Sequence, residues 1–186
     1  MQEKENVLRI LQETKAAIRD NDSLKLKELS NQTIHTASIA QDPDNIAVAV
    51  AVYSLSKIVE RKEYRTFTGW ENFYKNILFA VDNSIIAIRK NDDRKLKESL
   101  MSIRKSVSKL SGKLKGYIQD VFRKAEINKA SKIYEHGISM EKTASLLGIT
   151  MFELASYAGQ KPDGEAPLSK TIDVKTRIKT AMDMFK

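Results

Sequence analysis

The stretch Ala17-Ile18-Arg19-Asp20-Asn21-Asp22-Ser23-Leu24-Lys25-Leu26-Lys27-Glu28 recurs 70 residues later as Ala87-Ile88-Arg89-Lys90-Asn91-Asp92-Asp93-Arg94-Lys95-Leu96-Lys97-Glu98. When residues 6–29 are aligned with residues 76–99, 11 of the 24 positions are identical. Asn and Asp side chains bond to nearby backbone groups and tolerate left-handed conformations, so Asn-Asp predicts the end of one helix, with an Asp or Ser capping the next. The repeat therefore predicts one helical hairpin used twice. A shared Lys/Leu/Glu composition is the alternative, but the identities keep a single register across the same turn.

The overall composition favours helices. The chain has 186 residues, of which 41% are hydrophobic and 30% charged, with only 7 Gly and 3 Pro. Gly and Pro are too few for a chain with many tight hairpins, and the apolar fraction is too high for a disordered chain. The length allows one or two small domains.

Several classes of protein are disfavoured. There is no Cys and there are only two His, which leaves no disulfide framework, no thiolate metal site and little for a histidine-built centre. The first residues are polar and acidic rather than a basic segment followed by an apolar one, and the longest apolar run, 46–53, is far shorter than the roughly 20 residues of a membrane span. We expect a soluble, cytoplasmic protein with no membrane partner and no cofactor.

Apolar periodicity predicts helices over 3–20, 23–39, 45–61, about 69–90 and 92–110, with a charged link at 61–69. The segment 45–61 begins with alternating branched and small residues, which would suit a strand, but it continues at helical spacing. We therefore predict a helix there that is buried on most sides. The predicted fold class is all-α.

A heptad-like seam runs along the fifth predicted helix, where apolar residues are spaced by 4, 3, 4, 3 and 4. Its members are Leu96, Leu100, Ile103, Val107, Leu110 and Leu114. We interpret it as a core stripe of a bundle, with a dimerising coiled coil as the alternative, because three heptads are short. The same apolar spacing continues to Tyr117 and Val121, which would allow one long helix. The repeat instead predicts a break near 111–115 and a helix from about 116 to 135.

Positive charge is concentrated in residues 89–132, which hold 14 basic and 5 acidic residues, a net of +9 against +8 for the whole chain. With the seam facing inward, these cations are expected on the outer faces of two neighbouring helices. Such a surface attracts nucleic-acid phosphates regardless of base sequence, although a simply solvated face is the commoner use of exposed Lys. The candidate phosphate-binding residues are Arg89, Lys90, Arg94, Lys95, Lys97, Arg104, Lys105, Lys109, Lys113 and Lys115.

Residues 138–157 read Ile-Ser-Met-Glu-Lys-Thr-Ala-Ser-Leu-Leu-Gly-Ile-Thr-Met-Phe-Glu-Leu-Ala-Ser-Tyr, and this segment resembles the helix-turn-helix family. The small Ala144 would let the second helix approach closely, and Gly148 would allow the sharp turn. The apolar contacts that the resemblance implies fall at Leu147, Ile149, Leu154 and Tyr157. Ser139 and Thr150 are the expected helix caps.

The second helix of this motif lacks the residues with which related proteins read DNA. It has no cation and carries Glu153, which argues against base-specific recognition. Met151 and Phe152, if exposed, suit a protein contact. A linker from Gly159 to Pro167 and an amphipathic helix at about 172–185 follow. This layout resembles small prokaryotic, especially archaeal, regulators and antitoxin-like proteins.

No catalytic motif is evident. Ribonucleases of the HEPN family have similar helical bundles and use an Arg shortly before a His, but neither His35 nor His136 has that Arg. The Asp pairs at 20/22, 42/44 and 92/93 lie at turns, where capping explains them. We therefore assign no catalytic residue and no metal site.

The predicted organisation is a duplicated helical bundle over 1–134 and a helix-turn-helix-like module with a docking tail over 135–186. The expected function is non-catalytic binding of nucleic acid, DNA or RNA. The alternative is an interaction or assembly module with an acidic partner, another protein or a second copy of the chain, and a HEPN-like nuclease is a third candidate.

Overall fold

The computed structural model describes residues 3–40, 42–110, 112–147 and 149–159. This part is built of helices without strands, so the all-α prediction is confirmed. The helices are α1 (Lys4–Asp20), α2 (Ser23–Ala40), α3 (Pro43–Glu60), α4 (Trp70–Arg89), α5 (Asp93–Ser108), α6 (Gly112–Glu135), α7 (Met140–Leu147) and α8 (Met151–Gly159), with a 3₁₀ turn at Lys62–Thr66. None of the described helices combines the length and apolar character that a bilayer span requires. The linker after Gly159 and the amphipathic helix predicted at 172–185 lie outside the described residues.

The repeated sequence folds into the same turn twice. Asn21 and Asn91 are both left-handed, with φ of 58° and 54°. The next residue in each copy donates its N–H to the carbonyl five residues back, at 2.9 Å in both turns, which is a Schellman closure. The Asp22 and Asp92 carboxylates then accept the N–H of Lys25 at 2.8 Å and of Lys95 at 2.9 Å. The two turns therefore have equivalent hydrogen bonds, as one helical hairpin used twice would have.

The first helices of the two copies pack against each other in opposite directions. The start of α1 meets the start of α5 through the Lys4–Asp93 ion pair at 3.2 Å. Further along α1, Lys15 pairs with Asp82 at 2.5 Å, and the Tyr74 hydroxyl donates to the Ile18 carbonyl at 3.3 Å. One core made of side chains from both copies results.

The helices that follow the two hairpins, α3 and α6, match each other only in part. Buried residues of α3 at positions 48, 51, 52, 55, 56 and 59 have buried counterparts in α6 at 118, 121, 122, 125, 126 and 129, 70 residues later. The other six buried residues of α3 have exposed or half-buried counterparts, so the repeated unit is the helical hairpin.

Helix α3 is buried on most sides, as predicted, because its small residues let neighbouring helices approach from several sides. It packs most extensively against α2, where the buried Ser30 hydroxyl donates to the Ala49 carbonyl at 2.7 Å. It also contacts α1, α5, α6 and α7.

The six residues of the predicted seam are buried within this bundle, as the core-stripe interpretation expects, but only four of them lie on α5, while Leu110 follows α5 and Leu114 lies on α6. The chain does break before α6, but earlier than predicted: α6 begins at Gly112, whose φ of +60° suits glycine, rather than near 116. The link at 61–69 is also more ordered than a charged connector, since its 3₁₀ turn buries Tyr64.

The carboxy-terminal helices pack on the end of the bundle rather than apart from it. Helix α7 contacts α3 and α6, and α8 contacts α6 and α7. Ile138, on one side of the predicted boundary, shares an apolar cluster with Ile34, Ile46 and Ile133 on the other. Both predicted caps form: Ser139 accepts the N–H of Lys142 at 3.2 Å, and Thr150 accepts that of Glu153 at 3.1 Å.

Candidate functional site

The ten candidate phosphate-binding residues lie at the surface, with Lys115 the most sheltered of them. One cation of the basic segment departs from the expectation of an outer face. Lys129 is fully buried, because its side chain on α6 points between α2 and α3, where it contacts Asn31 and Tyr53. The expectation for Lys129 was wrong.

Acidic neighbours neutralise much of the basic segment. Within the described residues, seven of its cations pair with carboxylates: Arg94 with Glu98, Lys95 with Asp92, Lys97 with Asp44, Arg104 with Glu126, Arg123 with Glu126 and Glu153, Lys124 with Asp120, and Lys132 with Glu135. Three of these carboxylates, Asp44, Glu135 and Glu153, lie outside residues 89–132 and were not included in the net charge of the segment. The segment is consequently less cationic in space than in sequence.

Two separate groups of surface cations, rather than one continuous strip, have no ion pair in the described part of the chain. Arg89 and Lys90 lie at the end of α4. Lys109, Lys113 and Lys115 lie where α5 gives way to α6. Because α4 and α5 form a hairpin, the 16 residues of α5 separate the two groups by about 24 Å.

An ion-pair chain links α5 to the carboxy-terminal module. Arg104 on α5 pairs with Glu126 on α6, which is only 10% exposed and also accepts Arg123 at 3.4 Å. Arg123 in turn pairs with Glu153 on α8. The side chain that argued against DNA reading is thus held by the protein itself.

Glu153 also completes a reciprocal cap at the start of α8. Its carboxylate accepts the Thr150 N–H at 2.9 Å and the Thr150 hydroxyl at 2.7 Å. These two bonds, with Arg123, hold the pKa of Glu153 down at about 2. The Thr-x-x-Glu spacing at 150–153 is the sequence signal for this capping box.

The outward face of α8 is apolar. Phe152 is 81% exposed and Met151 is 53% exposed, beside exposed Ala155 and Ser156. The helix carries no cation among residues 151–159. The predicted protein-contact residues are therefore presented to solvent together.

Most of the described residues expected to join α7 and α8 come together, but Tyr157 is not part of their cluster. Ala144, Ile149 and Leu154 are buried in one cluster with Ala130 of α6, and Leu147 packs against it. The Tyr157 hydroxyl accepts the side-chain N–H of Asn128 at 3.1 Å. Gly148 lies outside the described residues.

Lys129 occupies a buried polar site that the sequence pattern did not indicate. Its Nζ donates to Asn31 Oδ1 at 2.9 Å and lies 4.3 Å from the centre of the Tyr53 ring. Burial, with smaller contributions from Lys132 and Lys27, lowers the pKa of this ammonium to about 7. The site is closed to solvent and offers no entry for a ligand.

The two histidines meet in space although 101 positions separate them. The rings of His35 and His136 lie 5.3 Å apart at 60°, and both residues are exposed, with His136 at the end of α6 as predicted. Within the described ranges, no group of three or more His, Cys, Asp or Glu residues could hold a metal ion. Asp22, Asp42 and Asp92 cap helices, as their turn positions predicted.

Comparison with known proteins gives no match to a family model, to a curated protein or to a solved structure.

Proposed function

We propose that the protein is a non-catalytic binding protein whose α7–α8 module contacts another protein through Met151 and Phe152, in the manner of the regulators and antitoxin-like proteins that the sequence resembles. The observation that carries the proposal is the 81% exposure of Phe152 on a short, firmly anchored helix. A large aromatic side chain left in water is the type of residue that anchors protein interfaces.

The anchoring of α8 supports this role. Its first turn is capped reciprocally by Thr150 and Glu153, and its flank is tied to α6 by Arg123 and Asn128. A helix held in this way loses little further entropy on binding, so its exposed side chains are preorganised for a partner. Base reading is disfavoured because α8 lacks cations and its carboxylate is already engaged.

The test is affinity capture from nuclease-treated extract with the tagged chain, its Met151→Lys/Phe152→Asp double variant and a Leu24→Asp control. Leu24 is 79% exposed on α2, so the control removes a comparably exposed apolar residue elsewhere. We expect one discrete protein to be retained by the wild type and the control and lost from the double variant. Equal retention by all three would reject the role of α8.

Nucleic-acid phosphate is a second candidate ligand, favoured by the unpaired cations at the two ends of the α4–α5 hairpin. Lys109 and Lys113 are exposed where α5 meets α6. Cations that form no protein ion pair are available for counterion release on phosphate binding.

Fluorescence anisotropy with a labelled DNA or RNA 20-mer, measured over a salt series, tests this candidate and separates DNA from RNA. The Lys109→Glu/Lys113→Glu variant should weaken binding to all sequences alike and flatten the salt dependence. The matched control is Arg94→Glu/Lys124→Glu, which reverses two cations already paired on their own helices. Equal losses in both variants would mean that net charge, not this location, governs binding.

A further inference from the structure

An apolar groove of about 330 Å³ lies between α3, α5, α6 and α7. Its walls include Ala47 and Val50 of α3, Leu100 and Met101 of α5, Phe122 of α6 and Leu147 of α7. Met101 is 56% exposed at its edge. The groove is therefore open to solvent and has room for a few large side chains.

The charged residues at the rim are already engaged with one another or with the bundle. Lys97 pairs with Asp44 at 3.8 Å, and Arg104 pairs with Glu126. Because these charged groups already have partners, the groove fits the apolar face of a helix better than a charged small molecule.

The chain carries a segment of matching chemistry outside the described residues. Between 172 and 185, Val174, Ile178, Ala181, Met182 and Phe185 recur at helical spacing and would share one face. A helix of this length is marginal in water by itself, so it needs a surface on which to bury that face.

The position of α8 puts the groove within reach of this segment. Helix α8 runs alongside α6, with Glu153 beside Arg123 and Tyr157 beside Asn128, so Gly159 lies about 12 Å along α6 from Phe122. Residues 160–171 can span up to about 40 Å when extended. Tethering on this scale gives a millimolar effective concentration, which favours the segment's own bundle over a second molecule.

We propose that residues 172–185 dock as an amphipathic helix in the groove between α3, α5, α6 and α7 of the same chain. The apolar face from Val174 to Phe185 then covers Met101 and Phe122, and the segment straps α7 to the bundle. The proposal does not depend on the α8 contact, since Met151 and Phe152 do not line the groove.

Cysteine crosslinking tests the docking directly, because the natural chain contains no Cys. In the Met101→Cys/Ile178→Cys variant, mild oxidation should convert most of the protein to an internally crosslinked monomer that migrates faster on a non-reducing gel. Two pairs serve as controls and should crosslink at least fivefold more slowly. Met101→Cys/Thr176→Cys places the tail thiol on the opposite face of the predicted helix. Leu24→Cys/Ile178→Cys places the bundle thiol near the other end of α3.

The outcomes separate the possible occupants of the groove. A covalent dimer as the main product would overturn the proposal in favour of exchange between two copies. Absence of a crosslink, or equal rates for all three pairs, would overturn it in favour of an external occupant or an empty groove. Circular dichroism of the reduced variants checks that each is folded, which we expect because Met101 and Leu24 are exposed.

Discussion

The two copies of the hairpin are followed by helices that pack differently, α3 and α6. Both bury the same stripe, from 48 to 59 in α3 and from 118 to 129 in α6. On the neighbouring face, Ile46, Ala49 and Val50 of α3 are buried, whereas their counterparts in α6, Gly116, Gln119 and Asp120, are exposed. Helix α2 packs closely on α3, while α5 packs on α4 and barely touches α6.

This difference shows that a repeated turn does not determine the partner of the helix that follows it. The turns at Asn21 and Asn91 are equivalent in their hydrogen bonds. What differs is the second apolar face of α3, which has small residues where α2 must approach. Helix α6 has polar residues there, and its far end carries the α7–α8 module instead.

The largest effect should come from the core leucines that the two copies share. Leu26 and Leu96 are equivalent and both fully buried. Leu26→Ala and Leu96→Ala should each lower the free energy of unfolding by about 2–5 kcal/mol through lost burial and a residual cavity. Urea unfolding measures both, and a loss below about 1 kcal/mol in either variant would break the equivalence of the copies.

A pH-dependent effect should distinguish Lys129 of α6 from its counterpart Val59 in α3. Because burial lowers the pKa of Lys129 to about 7 from its ordinary 10.5, the unfolded chain binds more protons above pH 7. Stability should therefore rise with pH there, by about 2 kcal/mol between pH 7 and 9 from this group. In the Lys129→Val variant, urea unfolding should show no such rise with pH. Its free energy of unfolding at pH 7 should be higher than that of the wild type. An unchanged pH profile would contradict the buried ammonium.

The close α2–α3 contact predicts opposite responses at equivalent positions. Ala49→Leu should lower the free energy of unfolding by about 1–3 kcal/mol, because the side chain has no room beside Ser30. Gln119→Leu, its counterpart on the exposed face of α6, should change it by no more than about 0.5 kcal/mol. Thermal unfolding of both variants makes the comparison, and similar losses would show that the second faces do not differ.

The smallest effects should be found at the turns. Asn21→Ala and Asn91→Ala keep the β-carbon strain of the left-handed region but remove the short polar side chain that offsets it, so each should cost about 1 kcal/mol. Asn21→Gly and Asn91→Gly relieve that strain and should be close to neutral. Matching results at the two sites would support equivalent turns, and a difference greater than about 1 kcal/mol would show that tertiary contacts dominate one of them.

Local sequence was sufficient to predict much of the fold. The helix positions, the caps at Asp22, Asp92, Ser139 and Thr150, and the buried seam of α5 all follow from spacing and from side chains that bond within a few residues of themselves. The start of α6 was misplaced by four residues because Gly112 and Gly116 both resemble breakers, and only Gly112 adopts a positive φ.

The candidate site was less predictable because charge neutralisation depends on distant residues. Lys97 pairs with Asp44 and Arg123 pairs with Glu153. In both pairs the two residues lie on helices that are far apart in the sequence. Lys129 was counted as a surface cation, since nothing in its neighbours indicates that Asn31 and Tyr53 surround it. A net charge summed along the chain therefore overestimated the basic surface.

The order of the residues by itself determined the helices, the duplicated turn and the apolar stripes, because these arise from interactions between groups close in the chain. The packing of the helices decided which faces of α3 and α6 are covered, which cations stay unpaired and where the groove opens. Those properties depend on distances between groups far apart in the chain, which exist only once the bundle has formed.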